Sequence, residues 1–146
     1  MMGRRSAVLS LLLALLPALL GACGGPNSRL VTVRTGGGSG PVDFAVKNAT
    51  SAPINALYLA KTERVTAAGQ DLDYDSPKGV DLWGPDLLTH SGIGAGDRVK
   101  IDVPEAGVWD VRALDRDSRY QHVTGLRLGA GGRYILELNE GGWRVK

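Results

Sequence analysis

The sequence predicts an all-β domain, an antiparallel β-sandwich or partly open barrel of seven to eight short strands. Apolar residues alternate with polar ones in several short segments, with the period of two that is typical of half-buried strands. These segments are closely spaced in the second half of the chain and are separated by glycine-rich turns. Beyond the N-terminal region, only a short stretch near residues 84–90 has the pattern of a helical turn.

The chain begins with the pattern of an export signal. Arg4 and Arg5 supply positive charge, and an apolar run over residues 7–20 follows them. A helix needs about 20 apolar residues to cross a bilayer, so this run is too short to span one. It has the length of a signal-peptide core. We therefore expect residues 1–22 to be a signal peptide that is absent from the mature protein.

The predicted signal ends in Leu20-Gly21-Ala22-Cys23, which contains the only cysteine of the chain. An aliphatic residue, two small residues and a cysteine resemble the lipobox of bacterial lipoproteins. The resemblance implies that the Cys23 thiol receives a diacylglycerol, that the chain is cut before it and that the new amine is acylated. Several acyl chains anchor a protein firmly, since each buried methylene contributes about 0.8 kcal/mol. The alternative is a soluble secreted protein whose cysteine stands there by chance.

Gly24 follows the predicted lipidation site. In lipoproteins of Gram-negative bacteria an aspartate at this position tends to retain the protein at the inner membrane. The resemblance therefore implies a lipid-anchored protein of the cell envelope, on the outer membrane and facing the periplasm if the organism has an outer membrane.

The mature chain is expected to carry no net charge. Residues 23–146 contain 15 basic and 15 acidic residues, because the only two charged residues of the signal are arginines. Nucleic-acid binding depends on clustered positive charge, so we predict no nucleic-acid partner. With its one cysteine committed to lipid, the chain forms no internal disulfide and must depend on its hydrophobic core.

Residues 23–40 are predicted to be a lipidated, glycine-rich tether. Residues 36–40 have the composition of a flexible spacer, Gly-Gly-Gly-Ser-Gly. A short apolar alternation over residues 29–34 also fits an edge strand, but we favour the tether. The folded domain is then expected to occupy residues 41–146.

The predicted strands follow from Pro41 and are separated by turns rich in glycine, asparagine, proline and aspartate. The second strand is apolar on both faces and is expected to be central. Residues 62–82 break the pattern for about twenty positions, and loops of that length are usually functional or disordered. The predicted strands are 42–47, 54–60, 99–103, 109–113, 120–128, 133–139 and 143–145, with 29–34 as an optional eighth.

The first candidate binding residues are Trp83 and Asp86. An exposed tryptophan beside a carboxylate suits sugar or peptide recognition, by stacking and directed hydrogen bonds. The alternative is that Trp83 fills the core while Asp86, after Pro85, supports the first turn of the predicted helix.

An acidic segment gives the second candidate. Asp71, Asp73 and Asp75 stand at alternate positions, as at the start of an EF-hand loop. That template fails at its sixth and twelfth positions, where serine and leucine stand instead of glycine and glutamate. A looser calcium site that includes Asp81 stays open, and the alternative is a solvated polar loop. Together with Trp83, this segment is the predicted binding surface.

Catalytic signals are sparse. His90 and His122, the two histidines of the chain, have no metal-ligand partner at short spacing. Ser91 directly follows His90, but adjacent side chains rarely face each other, and the glycine-flanked elbow of a hydrolase serine is missing. Asp110 and Arg112 are expected on the outward face of a strand, as a surface ion pair or part of a polar binding face. We predict no catalytic residue.

Several segments resemble, in the same order, an uncharacterised family of small exported bacterial β-domains with a Trp-Gly-x-Asp-Leu-Leu motif. The resemblance covers roughly residues 42–138, although Trp109 stands where the family has tyrosine and a cysteine pair of some members is missing. It implies one compact exported domain and no particular activity. The matching residues are Asn48, Ile54–Tyr58, Trp83–Leu88, Gly96 and Trp109–Arg112.

These observations predict a lipid-anchored binding or structural module of the cell envelope, without catalytic activity and without a cofactor other than the lipid on Cys23. The expected partners are the membrane and an envelope protein or glycan. Two alternatives stay open. One is a metal-assisted envelope hydrolase that uses aspartates with His90 or His122. The other is an inhibitor or immunity partner of an envelope enzyme.

Overall fold

The structure, a computed structural model, describes residues 27–69, 76–88 and 91–145. Within them the chain forms seven strands, two α-helices and one 3-10 helix. Cys23, His90 and the aspartates of residues 71–75 lie outside the described residues. The strands are β1 (Arg29–Arg34), β2 (Asp43–Asn48), β3 (Ile54–Lys61), β4 (Arg98–Ile101), β5 (Gly107–Asp115), β6 (Tyr120–Leu128) and β7 (Arg133–Leu138). The helices are α1 (Thr62–Ala68), α2 (Pro77–Trp83) and the 3-10 helix Glu140–Gly142.

The strands form two sheets, which confirms the predicted β-sandwich. Sheet A has the order β1-β7-β2-β4, and sheet B has the order β3-β5-β6. All strand pairs are antiparallel except β2 and β7, which run parallel in the middle of sheet A. A period of two reveals which side chains face inward but not which way a neighbouring strand runs, so the sequence does not predict this parallel pair.

The core between the sheets is built from the apolar residues whose alternation predicts the strands. Phe44 and Leu136 contribute from sheet A, and Leu57, Trp109 and Val111 contribute from sheet B. Each is at most 6% exposed. Burying a large apolar side chain contributes about 1.5–3 kcal/mol, so this layer is the main source of stability.

Strand β1 belongs to sheet A. The structure therefore corrects the prediction that these residues are part of a tether. Leu30 pairs with Leu136 of β7 and packs against the core. Just before the strand, the Ser28 hydroxyl accepts a hydrogen bond of 3.0 Å from the Asn139 backbone N–H. The folded domain therefore begins well before Pro41, because the alternation at residues 29–34 is that of a paired edge strand.

The glycine-rich segment 36–40 is packed backbone to backbone against the turn between β6 and β7. The Gly131 N–H donates a hydrogen bond of 3.0 Å to the Gly40 carbonyl oxygen. A Cβ atom on Gly36 would lie only 2.6 Å from the Ala130 carbonyl oxygen. Glycine is required here because a side chain would prevent this close approach. Residues 36–40 thus have the composition of a flexible spacer but form a close backbone contact within the fold.

Helices α1 and α2 occupy the described parts of residues 62–82, for which the sequence predicts a long loop. The Ser76 side chain caps α2 by accepting a hydrogen bond of 3.0 Å from the Gly79 N–H. The helix ends before Gly84, whose φ of 69° is in the left-handed region. Helix α2 therefore ends before the segment near residues 84–90, where the sequence predicts a helical turn.

Both helices contact sheet B and cover the part of its outer face that β3 and β5 form. Val65 of α1 and Leu82 and Trp83 of α2 form a second, smaller core with Ala60 and Tyr58 of β3. The helices are too short to be stable alone, so this packing is what holds them. The molecule consequently has three layers where the helices lie: the helices, sheet B and sheet A.

Candidate functional site

The outer face of sheet A carries six cationic side chains. Alternation places them outward, because their strand neighbours, such as Phe44 and Leu136, point into the core. Five of the six are exposed and Lys47 is half-buried. We call this surface the basic face. Its cations are Arg29 and Arg34 on β1, Lys47 on β2, Arg98 and Lys100 on β4, and Arg133 on β7.

Two carboxylates lie among these cations. Asp43 accepts a hydrogen bond of 2.7 Å from Arg133 Nε, and Lys100 Nζ lies 3.4 Å from its other oxygen. The hydrogen bond from Arg133, followed by the interaction with Lys100, lowers the pKa of Asp43. Glu137 accepts a hydrogen bond of 2.9 Å from Arg29. Since two anions offset only two of the six cations, the strands of the basic face carry four excess positive charges.

An open cavity of about 420 Å³ lies on the basic face. Ala45 and Ile135 line it, with the cations Arg98, Lys100 and Arg133 and the carboxylate of Asp43. Ala45 is small and its neighbours are long, which leaves the depression between the charged side chains. Small-molecule sites usually have volumes of about 300–1,000 Å³. The size and charge of this cavity suit anionic groups such as phosphates and carboxylates, which pair with arginine through charge-assisted hydrogen bonds.

A buried polar network lies on the outer face of sheet B, at the start of α1. Asp110 of β5 is 1% exposed. Its Oδ1 accepts hydrogen bonds from the hydroxyls of Thr62, at 2.6 Å, and Thr124, at 2.9 Å. The Gly125 N–H also donates to Oδ1, at 3.0 Å, and His122 Nε2 lies 2.8 Å from Oδ2. Burial would raise the pKa of Asp110, but these bonds outweigh it and lower the pKa.

Arg112 continues this covered layer along β5 and is 6% exposed. Its guanidinium carbon lies 5.3 Å from the ring centroid of Trp83 and 5.1 Å from that of Tyr120, which are cation–π distances. Trp83 also meets His122 edge to face, with the ring centroids 5.5 Å apart. The exposed pair predicted for Asp110 and Arg112 is therefore wrong. Both side chains point outward from the sheet, but the helices cover them.

The two candidate binding residues near α2 are used within the fold. Trp83 is 4% exposed, so the core-filling alternative describes it. Asp86 accepts hydrogen bonds of 2.9 Å from the backbone N–H groups of Leu57 and Leu88 and thereby fixes the chain after α2 to β3. Trp83 and Trp109 line a pocket of about 250 Å³. That volume is below the usual range for ligand sites.

Of the calcium candidate, the structure describes Asp81 alone. Its carboxylate is exposed and lies 3.8 Å from Arg64, in a surface ion pair between α1 and α2. In the described part of the chain, no group of three or more His, Cys, Asp or Glu side chains is placed to hold a metal ion. The calcium site over residues 71–75 stays a prediction.

The basic face is the feature that the sequence does not reveal. The outward cations of β4, Arg98 and Lys100, are visible in the alternation, but they are far in sequence from Arg29 and Arg133. Only the strand order of sheet A brings β1, β7, β2 and β4 side by side. A count of net charge hides the cluster, because acidic residues elsewhere balance it.

No protein-family model matches the chain, and no curated protein or solved structure matches it either. The resemblances at Cys23 and at Trp83–Leu88 therefore stay predictions. In the part of the chain that the structure describes, no helix is both long enough and apolar enough to cross a membrane.

Proposed function

We propose that this protein is a lipid-anchored, non-enzymatic module of the cell envelope that binds an anionic envelope component through the basic face. The observation that carries the proposal is the excess of four positive charges on one exposed face of sheet A. The lipobox at Cys23 supports the location. In an organism with two membranes, the domain is held at the outer membrane and faces the periplasm.

The charge of the mature chain is segregated, which supports a binding role. Residues 23–146 have equal numbers of basic and acidic residues, 15 of each. Once the six cations and two anions of the basic face are set aside, nine basic and thirteen acidic residues remain. Such a distribution orients a protein toward an anionic partner without giving it a net charge.

The network at Asp110 supports the non-enzymatic part of the proposal. Oδ1 of Asp110 already accepts three hydrogen bonds, so this oxygen has no lone pair left for a metal ion. His122 faces the same carboxylate, and its side chain is only 12% exposed. A general base must reach its substrate. This arrangement fastens α1 to β5 and β6.

The anchoring part is tested by Cys23→Ser in the native bacterium. We expect the wild-type protein to be found in the membrane fraction, with an intact mass that shows cleavage before Cys23 and added acyl chains. The variant should lose the acyl mass and the processing. Gly24→Ala, one residue further on, is the control and should behave as wild type. Normal processing and membrane retention of Cys23→Ser would contradict the proposal.

One observation favours the alternative of a metal-assisted hydrolase. The 2.8 Å contact between His122 Nε2 and Asp110 is also the geometry of a carboxylate that orients a catalytic or metal-binding imidazole. Metal analysis of the purified protein, compared with His122→Gln, separates the two functions. Stoichiometric zinc or calcium that the variant loses would favour the hydrolase, and a metal-free wild-type protein would favour the binding module.

A further inference from the structure

We infer that the basic face of sheet A lies on the bilayer in which the protein is anchored and binds its anionic phospholipid headgroups. This inference rests on the proposed anchor at Cys23 and names the anionic component of the proposed function. Three features carry it: the short link between Cys23 and the folded domain, the place where the chain enters the fold, and the distribution of the cations.

The link from the anchor to the folded domain is short. Asn27 already belongs to the fold, because its carbonyl oxygen accepts a hydrogen bond of 2.9 Å from the Asn139 side chain. Three residues of chain, 24–26, therefore separate Cys23 from Asn27, and the stretch from Cys23 to Asn27 spans at most about 14 Å when extended. A domain of this size has a radius of gyration of about 13 Å. One side of the domain must consequently lie at the bilayer surface.

The chain enters the fold at sheet A. Strand β1 begins two residues after Asn27 and is the edge strand of that sheet. Its first residue, Arg29, is an exposed member of the basic face. Helices α1 and α2 pack on sheet B, on the opposite side of the sandwich. The basic face thus begins at Arg29, six residues after the proposed anchor, and is the broad surface of the sandwich that α1 and α2 leave uncovered.

The cations are spread over the sheet, and only three of the six line the cavity. They come from all four strands of sheet A, which lie about 4.8 Å apart, with outward side chains about 7 Å apart along each strand. This spacing matches a flat array of headgroups, one of which the cavity between Arg98, Lys100 and Arg133 can accept.

Vesicle binding of a lipid-free protein tests the inference. The chain used is residues 23–146 with Cys23→Ser, which keeps every described strand and helix. We expect it to sediment with vesicles of phosphatidylglycerol and phosphatidylcholine at 50 mM salt and not with phosphatidylcholine alone. At 0.5 M salt the binding should be lost, since surface charges are then screened.

A matched pair of variants locates the binding surface. Arg98→Gln with Lys100→Gln removes two cations of the basic face and should weaken binding to the anionic vesicles about thirtyfold, or about fivefold for each charge. Arg116→Gln with Arg127→Gln removes two exposed cations of the β5–β6 hairpin and changes the net charge equally. This control should bind almost as wild type. Urea unfolding of both variants checks that they are folded.

Three results would overturn the inference. They are absence of binding to anionic vesicles, equal weakening by the two pairs of substitutions, and stronger binding to a soluble polyanion such as polyglutamate than to the vesicles. The last would point to an envelope glycan or protein as the partner. Should Arg98→Gln with Lys100→Gln not fold, Arg34→Gln with Lys47→Gln replaces it. Since the tested chain carries no lipid, its failure is distinct from a failure of the Cys23→Ser experiment.

Discussion

The two outer faces of the sandwich carry charged residues of similar types in opposite surroundings. On sheet A the cations stand in solvent, and each carboxylate is held by neighbouring cations, as Asp43 is by Arg133. On sheet B the charged residues Asp110 and Arg112 lie under two helices and are at most 6% exposed. The charges of sheet A are therefore solvated, whereas those of sheet B are packed within the protein.

This difference separates residues that can meet a partner from residues that hold the fold. An ion pair in solvent contributes at most about 1 kcal/mol, so the charges of sheet A are free to serve binding at little cost in stability. A buried carboxylate must have its hydrogen-bonding capacity filled, and Asp110 has. Asp110 and Arg112 therefore stabilise the fold, whereas the charged residues of sheet A are available to a partner.

The largest effect is expected for Asp110→Ala. The substitution leaves the hydroxyls of Thr62 and Thr124, the Gly125 N–H and the His122 ring without their common acceptor. We expect a loss of about 3 kcal/mol in the free energy of unfolding, measured by urea titration, because breaking one side of a buried polar network strands its partners.

The control for this prediction is Asp117→Ala, in the exposed turn between β5 and β6. It should change the free energy of unfolding by less than about 0.5 kcal/mol. If Asp110→Ala were as mild as Asp117→Ala, sheet B would not be held by this network, and the contrast between the two faces would fail.

A smaller effect is expected in the glycine-rich segment 36–40, which packs against the turn between β6 and β7. Gly36→Ala places a Cβ 2.6 Å from the Ala130 carbonyl oxygen. The backbone must shift, and we expect a loss of about 2 kcal/mol. Gly37→Ala is the matched control, because a Cβ there meets nothing within 4 Å. Equal stabilities of the two variants would show that residues 36–40 are a spacer after all.

The sequence predicts the sandwich because alternation is a local signal. Phe44 and Val46, or Trp109 and Val111, are read as inward-facing without any knowledge of the partner strand. Strand β1 is harder to recognise, since its six residues are followed by a glycine-rich segment whose composition also fits a spacer. Helices α1 and α2 have seven residues each and depend on packing against sheet B, so their local signal is weak.

The candidate site is predictable only in part, for a related reason. Alternation correctly places Asp110 and Arg112 on the outer side of β5, but it does not show that a third layer covers them. Likewise, Arg98 and Arg133 read as isolated exposed cations, because the contact between their strands and β2 is a matter of topology. Layer number and strand order are long-range properties of the fold.

The last prediction uses acid and salt to compare one carboxylate from each face. Asp43 and Asp110 both have a lowered pKa in the folded protein. A carboxylate of this kind stabilises the fold above its unfolded pKa, and that stabilisation is lost as the pH falls through the folded pKa. We therefore expect the free energy of unfolding to fall below about pH 4, and Asp110→Asn to reduce this fall.

Salt should distinguish the two contributions. The Debye length is about 3 Å at 1 M salt, so the ion pairs of Asp43 with Arg133 and Lys100 are screened, whereas the hydrogen bonds of Asp110 are sheltered from solvent. Urea unfolding at pH 7 and pH 3 should show that Asp43→Asn alters the acid dependence only at low salt. Asp110→Asn should alter it at both salt concentrations. If 1 M salt abolished both effects, the carboxylate of Asp110 would be in contact with water, and the distinction between a solvated face and a packed face would not hold.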